Sequence, residues 1–435
     1  MTDPAISRSI DAVWRIESTR LIAGLARYTG GDLDRAEDMA QDALVAAMEE
    51  WPSTGVPRNP GAWLMSTAKN RAIDRYRRDR NLQKKYEQIG RESATTTGSA
   101  ESEVVAKDLD VVGDDVLSLI FITCHPLLSA ESRAALTLRL LGGLTTDEIA
   151  RAFLVPTATV AQRVTRAKRS LAEAKVPFEV PSRDDVEQRL GSVLEVIYLI
   201  FNEGYSATAG DDWMRPELAD EAMRLGRILA TLMPEEPEVH GLVALMEIQA
   251  SRMRARTAPD GSAILLLDQD RSQWDWMLIN RGLAALELSE SLSVPYGPYT
   301  LQAAIAGCHA RARRAGDTDW ERIAALYDAL AQATPSPVVE LNRAMATAMA
   351  YGPGEGLELV DRLDRSGELS GYHLLHAVRG DLLFKSGRFA EARSEFLIAA
   401  EMTRNVAERD VMLGRAEECG SAQESSPAPR NSPEP

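Results

Sequence analysis

The segment from residue 61 to residue 80, GAWLMSTAKNRAIDRYRRDR, strongly constrains how this chain can fold. When it is projected at about 3.6 residues per turn, its side chains separate into two arcs. The apolar arc contains Leu64, Met65, Ala68, Ala72, Ile73 and Tyr76. The polar arc contains Ser66, Thr67, Asn70, Arg71, Asp74, Arg77 and Arg78. The pattern predicts an amphipathic helix that requires a helical core. Its basic face is suited to phosphates and base edges, although a merely solvated face would look the same.

The composition of the whole chain predicts an all-α fold. Only 6% of the 435 residues are aromatic, and the alternation typical of strands is hard to find. A chain of this length is expected to form about two to four domains. We find no signal peptide and no apolar run long enough to cross a membrane, so we expect a cytoplasmic protein without a membrane partner. The three cysteines form no CxxC pair and are expected to be reduced thiols.

The charge of the chain is unevenly distributed. The first 176 residues carry equal numbers of basic and acidic side chains, so the net charge of −16 belongs to the residues that follow. A balanced total still allows nucleic-acid binding where the basic side chains cluster on one face. The acidic part would be repelled by phosphate and is therefore an unlikely DNA-binding region.

Two helices are predicted before the basic segment. The first covers residues 10–28, and Gly30–Gly31 separates it from a second helix that runs to about Trp51. The second helix has an alanine-rich core stripe. Its opposite face carries Asp38, Gln41, Asp42, Val45 and Glu49. An apolar valine among acidic side chains suggests a protein partner, although a solvated face is the simpler interpretation.

Residues 144–174 have the spacing of a helix-turn-helix. Thr145 or Thr146 can cap a short helix that ends near Phe153, and a longer helix is predicted from about Thr157. The inward face of the longer helix contains Val160, Val164, Ala167 and Leu171. Its outward face contains Ala158, Thr159, Gln162, Thr165, Arg166 and Arg169, with Arg163 at the edge. Such a helix fits a DNA major groove, but structural bundles contain similar helix pairs.

Three blocks together resemble a known family. RAEDMAQDAL, then AWLMSTAKNRAIDRYRR, then the helix-turn-helix are similar, in this order, to bacterial sigma factors of the extracytoplasmic-function group. The resemblance implies a polymerase-docking face formed by Glu37, Asp38, Gln41, Asp42 and Val45. It implies contacts to the melted, start-site-proximal promoter element from Asn70, Arg71, Arg75, Arg77 and Arg78. It implies contacts to the upstream element from Thr157, Thr159, Gln162, Arg163, Arg166 and Arg169.

The turn of the helix-turn-helix departs from that family. Leu154 and Pro156 stand where the family usually has a glycine and a capping serine. Leucine is unfavourable at positive φ, so we expect a different turn conformation, with Pro156 at or near the first position of the longer helix. The contacts of individual side chains with individual bases therefore cannot be transferred from the family.

The remaining residues resemble the subgroup of these sigma factors that carries a large helical extension with tetratricopeptide-like repeats. The clearest repeat covers residues 374–400, where the small and large packing positions hold Gly380, Leu383, Ala392, Phe396 and Ala399. Residues 338–363 form a weaker copy. The predicted domains are 1–91 (sigma region 2), 92–113 (flexible linker), 114–176 (sigma region 4), 177–290 (helical extension), 291–419 (repeats) and 420–435 (disordered tail).

Two polar clusters in the extension could suggest an enzyme. They are Asn202, Glu203 and Tyr205 in FNEGYSA, and Asp268, Asp270, Arg271 and Trp274 in LLDQDRSQWD. Helix capping and structural hydrogen bonds explain such residues more simply than acid–base catalysis. We find no metal-ligand spacing, phosphate loop or nucleophile motif, so no catalytic residue, metal or cofactor is predicted.

The sequence therefore predicts a non-catalytic sigma factor. Its expected partners are core RNA polymerase and promoter DNA, with a possible regulatory protein or ligand at the extension. One alternative is a helix-turn-helix regulator that binds duplex DNA alone and senses a ligand through its repeats. A third possibility is a repeat scaffold whose N-terminal region has lost its function.

Overall fold

A computed structural model describes residues 4–73, 109–153, 155–205, 214–258, 264–292, 294–403 and 406–425. Within these ranges the regular elements are helices, and no strand is present. The all-α prediction is confirmed. The chain divides into two compact units, Met1–Leu199 and Ile200–Pro435.

The first unit begins with three helices, which contain the first predicted helix, the predicted polymerase-binding segment and the start of the basic segment. They are α1 (Pro4–Tyr28), α2 (Leu33–Thr54) and α3, which the structure describes over residues 60–73. Gly30 and Gly31 both have positive φ and separate α1 from α2, and the Asp32 carboxylate caps α2 by accepting a hydrogen bond from the Arg35 N–H. Apolar side chains of all three helices are buried, among them Leu25, Trp51 and Leu64.

Five further helices follow: four lie within this unit, and the fifth crosses its C-terminal boundary. They are α4 (Leu109–Thr123), α5 (Ala130–Leu140), α6 (Thr146–Ala152), α7 (Thr157–Glu173) and α8 (Arg183–Tyr205). Helix α4 begins inside the segment predicted to be a linker. The boundary between the two compact units falls within α8, on the C-terminal side of the predicted boundary at residue 176.

Polar contacts join α1 to the helices after the linker. The Thr19 hydroxyl donates to the Leu141 carbonyl at the end of α5 over 2.7 Å, and Arg27 pairs with Asp115 of α4 at 3.0 Å. Burial raises the pKa of Asp115, and the Arg27 charge offsets part of that rise. These contacts keep the predicted region 2 and region 4 helices within one compact unit.

The second unit is a run of helices connected by short loops. Its helices are α9 (Pro216–Leu232), α10 (Pro237–Ala250), α11 (Trp276–Leu292), α12 (Pro298–Arg311), α13 (Trp320–Ala333), α14 (Pro337–Tyr351), α15 (Pro353–Ser366), α16 (His373–Lys385), α17 (Phe389–Met402) and α18 (Val406–Ser425). From α12 onwards each helix packs against the next, as hairpins do. Helix α18 reaches Ser425, so residues 420–425 are helical rather than part of a disordered tail.

The predicted repeat positions lie in contact between α16 and α17. A Cβ atom added at Gly380 would approach the ring of Phe396 to 3.0 Å, which is closer than ordinary van der Waals contact. Leu383, Ala392, Phe396 and Ala399 are buried. Glycine at this position therefore lets the two helices approach each other with a phenylalanine between them.

His309, in the last turn of α12, is a buried titratable group. Its ring packs edge-on against Trp320 at 5.1 Å between centroids, and its side chain lies near the guanidinium groups of Arg252 and Arg271. Burial, together with these two positive charges, lowers the pKa of His309 to about 4. The imidazole is therefore neutral in the folded chain at physiological pH.

This pKa predicts an acid-dependent loss of stability. The imidazole takes up a proton near pH 6.5 in the unfolded state and only near pH 4 in the folded state. The free energy of unfolding therefore falls as the pH drops from 6.5 to 4, by on the order of 3 kcal/mol in total. The free energy of unfolding of the wild type and of His309→Gln can be measured in urea by hydrogen exchange of amides in the second unit. The difference between the two proteins should change between pH 7 and pH 4. A pH-independent difference would contradict the assignment.

Candidate polymerase and nucleic-acid interface

The helix-turn-helix is formed by α6 and α7. Thr145 and Glu148 form a capping box: the Thr145 N–H donates to the Glu148 carboxylate at 2.7 Å, and the Glu148 N–H donates to the Thr145 hydroxyl at 3.2 Å. Pro156 has φ −59° and ψ 141° and directly precedes the first residue of α7. Its predicted place at the start of the longer helix is confirmed, whereas Leu154 lies outside the described residues.

Helix α7 presents the predicted reading face to solvent. Val160, Val164, Ala167 and Leu171 are buried, as predicted from their spacing. Thr157, Gln162, Arg166 and Arg169 are exposed, and Thr159 and Arg163 are half-buried. Arg169 makes an exposed ion pair with Glu173 at 3.4 Å, whereas Arg166 has no hydrogen bond or ion pair among the described residues. A guanidinium group that is exposed in this way is available to an external acceptor.

The predicted polymerase-binding residues of α2 do not all share one environment. Asp38 and Val45 are exposed, and Gln41 and Asp42 are half-buried. Met48, one turn beyond Val45, is 57% exposed beside the 47% exposure of Val45. The sequence interpretation missed Met48, although its spacing of three residues from Val45 indicates the same face. Exposed aliphatic side chains next to carboxylates suit a protein partner.

Glu37 points towards α5 and α7. Its carboxylate accepts hydrogen bonds from Arg139 of α5 at 2.6 Å and from Lys168 of α7 at 2.5 Å. The Glu37 side chain is 12% exposed and the Lys168 side chain 8% exposed, so this is a buried ion pair. Asp34 also accepts from Lys168, at 2.9 Å. Within this structure Glu37 is bound by the chain itself.

Lys168 was not identified from the sequence. Burial lowers the pKa of its ammonium group, but the charges and hydrogen bonds of Glu37 and Asp34 outweigh burial and raise the pKa overall. A usable signal was present, because Lys168 lies on the apolar stripe of α7 between Val164 and Leu171. A lysine in such a stripe requires a buried acidic partner, but the sequence does not say which one.

Two of the five predicted contacts to the melted promoter element lie in the described part of α3. Asn70 is exposed. Arg71 is half-buried and donates to the Asp42 carbonyl at 3.1 Å and to the Glu49 carboxylate at 3.2 Å, both on α2. Arg75, Arg77 and Arg78 lie outside the described residues.

The two polar clusters considered for catalysis have structural contacts. Glu203 forms an ion pair with Arg215, and the Asp270 carboxylate caps a short 3-10 helix through the Ser272 N–H. Arg271 is buried and donates to the His309 and Ala312 carbonyls at 2.8 and 2.6 Å, at the end of α12. Among the described residues no group of three His, Cys, Asp or Glu side chains could hold a metal ion.

Comparison with known proteins identifies two sigma regions. The profile of sigma-70 region 2 matches residues 16–82, and that of sigma-70 region 4 matches residues 118–171. These ranges contain the exposed face of α2 and the reading face of α7 in the predicted order. These two matches support an RNA polymerase sigma factor, for which core polymerase and promoter DNA are the implied partners.

Part of the chain that follows these two regions matches a family without an assigned role. Residues 189–290 match a family of unknown function, DUF6596. An uncharacterized protein of Rhizobium meliloti strain 1021 is 44% identical over 389 residues, which cover 89% of this chain and 90% of the relative. No solved structure matches the chain. None of the helices within the described ranges is both long and apolar enough to span a membrane.

The buried pair between Glu37 and Lys168 should contribute to the stability of the first unit. Replacing Lys168 by Met leaves Glu37 with one cation instead of two, and we expect the free energy of unfolding to fall by about 1–3 kcal/mol. Hydrogen exchange of amides in α2 and α7 measures this change. In a double-mutant cycle with Glu37→Gln, the two effects should be less than additive.

The matched control is Arg169→Ala, which removes a cation from the same helix. Its ion pair with Glu173 is exposed on both sides, so we expect a change within about 0.5 kcal/mol. Strictly additive effects of Lys168→Met and Glu37→Gln would show that the buried pair is not energetically coupled.

Proposed function

We propose that this chain is a sigma factor of the extracytoplasmic-function group, which directs core RNA polymerase to specific promoters. The observation that carries the proposal is the exposed face of α7, with Gln162, Arg166 and Arg169 outward and an apolar stripe packed inward. Glutamine and arginine supply the bidentate hydrogen bonds that distinguish adenine and guanine in the major groove. The cytoplasm is the location that this function requires.

The polymerase contact is proposed to lie on α2. Asp38, Gln41, Val45 and Met48 present carboxylate, amide and aliphatic groups within about three turns of one helix. A basic surface of the polymerase with an apolar centre would complement them. Asn70 on α3 and the arginines that follow it are proposed to bind the melted promoter strand.

The ion pair of Glu37 links these two activities. Glu37 belongs to the proposed docking set, yet its carboxylate is bound to Lys168 on the helix that reads DNA. A contact between Glu37 and polymerase therefore requires Lys168 and Arg139 to release it. We propose that docking on polymerase exchanges these internal partners for external ones and frees α7 from α2.

The helices from α12 to α18 are proposed to form a tetratricopeptide-like module that binds a regulatory partner or ligand. Its support is the hairpin packing of consecutive helices and the close approach of Gly380 to Phe396. Stacked hairpins of this kind expose a concave surface, which suits a binding role better than catalysis.

Charge reversal on the exposed face of α2 should weaken polymerase binding. We expect Asp38→Lys combined with Val45→Lys to reduce affinity for core polymerase roughly tenfold or more, because an attractive charge becomes repulsive and an apolar contact is replaced by a second positive charge. Affinity can be measured by fluorescence anisotropy of the labelled full-length chain. The control Glu50→Lys makes the same change at an exposed carboxylate elsewhere on α2 and should bind normally. Unchanged affinity in the double variant would exclude this face.

Replacing Arg166 by Ala tests promoter reading. With core polymerase, the wild-type chain should support run-off transcription from its own promoter, and Arg166→Ala should reduce discrimination between upstream elements by on the order of 1–3 kcal/mol. Equal losses on every template would instead make Arg166 a phosphate contact. A protein that protects duplex DNA alone and never stimulates polymerase would support the alternative of an independent helix-turn-helix regulator.

A further inference from the structure

The second unit contains a cavity of about 490 Å³ that promoter recognition does not use. One wall is the loop Leu265–Asp268, which precedes α11. The other walls are formed mainly by apolar and aromatic side chains of α13, α14 and α16 to α18: Trp320, Met345, Met349, Phe384, Phe396 and Met412. A cavity of this size and lining is typical of a small-molecule site, for which roughly 300–1,000 Å³ is usual.

Most of the charges in the walls neutralise one another. Asp381 pairs with Lys385 and, at 2.6 Å, with Arg415, and Arg415 also pairs with Glu418 at 2.7 Å. The Arg415 guanidinium additionally lies over the rings of Phe384 and Phe396, at 5.0 and 5.4 Å from their centroids. Both cations of the cavity wall therefore already have acidic or aromatic partners, so an anionic ligand would have to compete for them.

Asp268 is the exception among these charges. Its side chain is exposed, and its carboxylate has no hydrogen bond or ion pair among the described residues. A carboxylate beside an apolar, aromatic cavity attracts a positively charged group, and the loss of hydration is smallest for a large organic cation. The charge of the cavity thus favours a cationic ligand over an anionic one.

Hydrogen bonds within the loop that carries Asp268, and the contacts of Arg271 beyond it, fix the position of this loop. The Asp268 N–H donates to the Leu265 carbonyl at 2.9 Å, and the Gln269 amide donates to the Ile264 carbonyl at 3.2 Å. Just beyond it, buried Arg271 binds the carbonyls at the end of α12. Within the motif LLDQDR, Arg271 therefore fixes the segment, and Asp268 lines the cavity. Such fixation lowers the entropic cost of binding.

We propose that this cavity binds a small organic cation with an apolar body, and that the Asp268 carboxylate receives its positive group. The apolar body would lie among the methionine and aromatic side chains of α13, α14, α16 and α17. This site is independent of the proposed promoter and polymerase contacts, because none of its residues belongs to the first unit. It assigns a ligand class to the helical extension.

The test uses three probes of similar shape and different charge with the full-length chain. They are tetraphenylphosphonium, tetraphenylborate and neutral triphenylphosphine oxide, each titrated by calorimetry. We expect the cation to bind most tightly. Asp268→Asn should weaken cation binding roughly tenfold, strengthen anion binding and leave the neutral probe nearly unchanged, because the carboxylate attracts one charge and repels the other. The control Glu358→Gln neutralises an exposed carboxylate on α15, outside the cavity, and should leave all three affinities unchanged.

A second variant tests the location of the site. Ala377→Phe places a ring in the cavity wall and should abolish cation binding while circular dichroism confirms the helical fold. Tighter binding of the anion, equal binding of all three probes, absence of binding, or an unchanged cation affinity in Asp268→Asn would each overturn the proposal. Displacement of the cation by core polymerase would show that a segment of polymerase occupies the cavity, which also contradicts a small-molecule site.

Discussion

The buried carboxylate of Glu37 joins the helices that carry the proposed polymerase-binding and DNA-reading faces of the first unit. A carboxylate that is almost fully removed from water is tolerated only when cations and hydrogen bonds replace its hydration. Arg139 and Lys168 supply both, and they come from two different helices of region 4. Helix α7 is thereby held against α2 by its inner side while its Gln and Arg side chains stay in solvent. The same contact makes Glu37, one of the proposed polymerase-binding residues, bind Lys168 and Arg139 of the chain itself.

Arginine performs a comparable structural task in the second unit. Arg256 donates to the Tyr205 carbonyl at the end of α8, Arg271 to carbonyls at the end of α12, and Arg409 to the Thr403 carbonyl after α17. The last carbonyls of a helix have no partner within the helix, and a cation also complements the helix dipole. The polar motifs that could have suggested catalysis are largely explained by this capping. Helix capping does not explain Asp268, and we therefore propose a ligand for its carboxylate.

The repeat packing and the cavity have a common origin. Helices rich in alanine and glycine approach closely, as Gly380 does to Phe396, and the larger side chains are left to fill the spaces between hairpins. Where helices α13, α14 and α16 to α18 meet the loop of residues 265–268, a cavity remains. Met345, Met349 and Met412 line it, and their unbranched side chains can adapt to a ligand.

The sequence by itself determined the helical class, the helix-turn-helix and the faces of α2 and α7, because these depend on local periodicity and capping. The capping box at Thr145 and the buried stripe of α7 are examples. It also predicted a sigma factor, through three blocks in order, and the matches to sigma-70 regions 2 and 4 support that prediction. Only the tertiary structure decided that Glu37 binds Lys168, that Arg71 binds α2, and that Asp268 borders a cavity with α16 and α18. These pairings join residues far apart in the chain, and periodicity along one helix shows that a charge needs a partner but not where the fold will bring that partner.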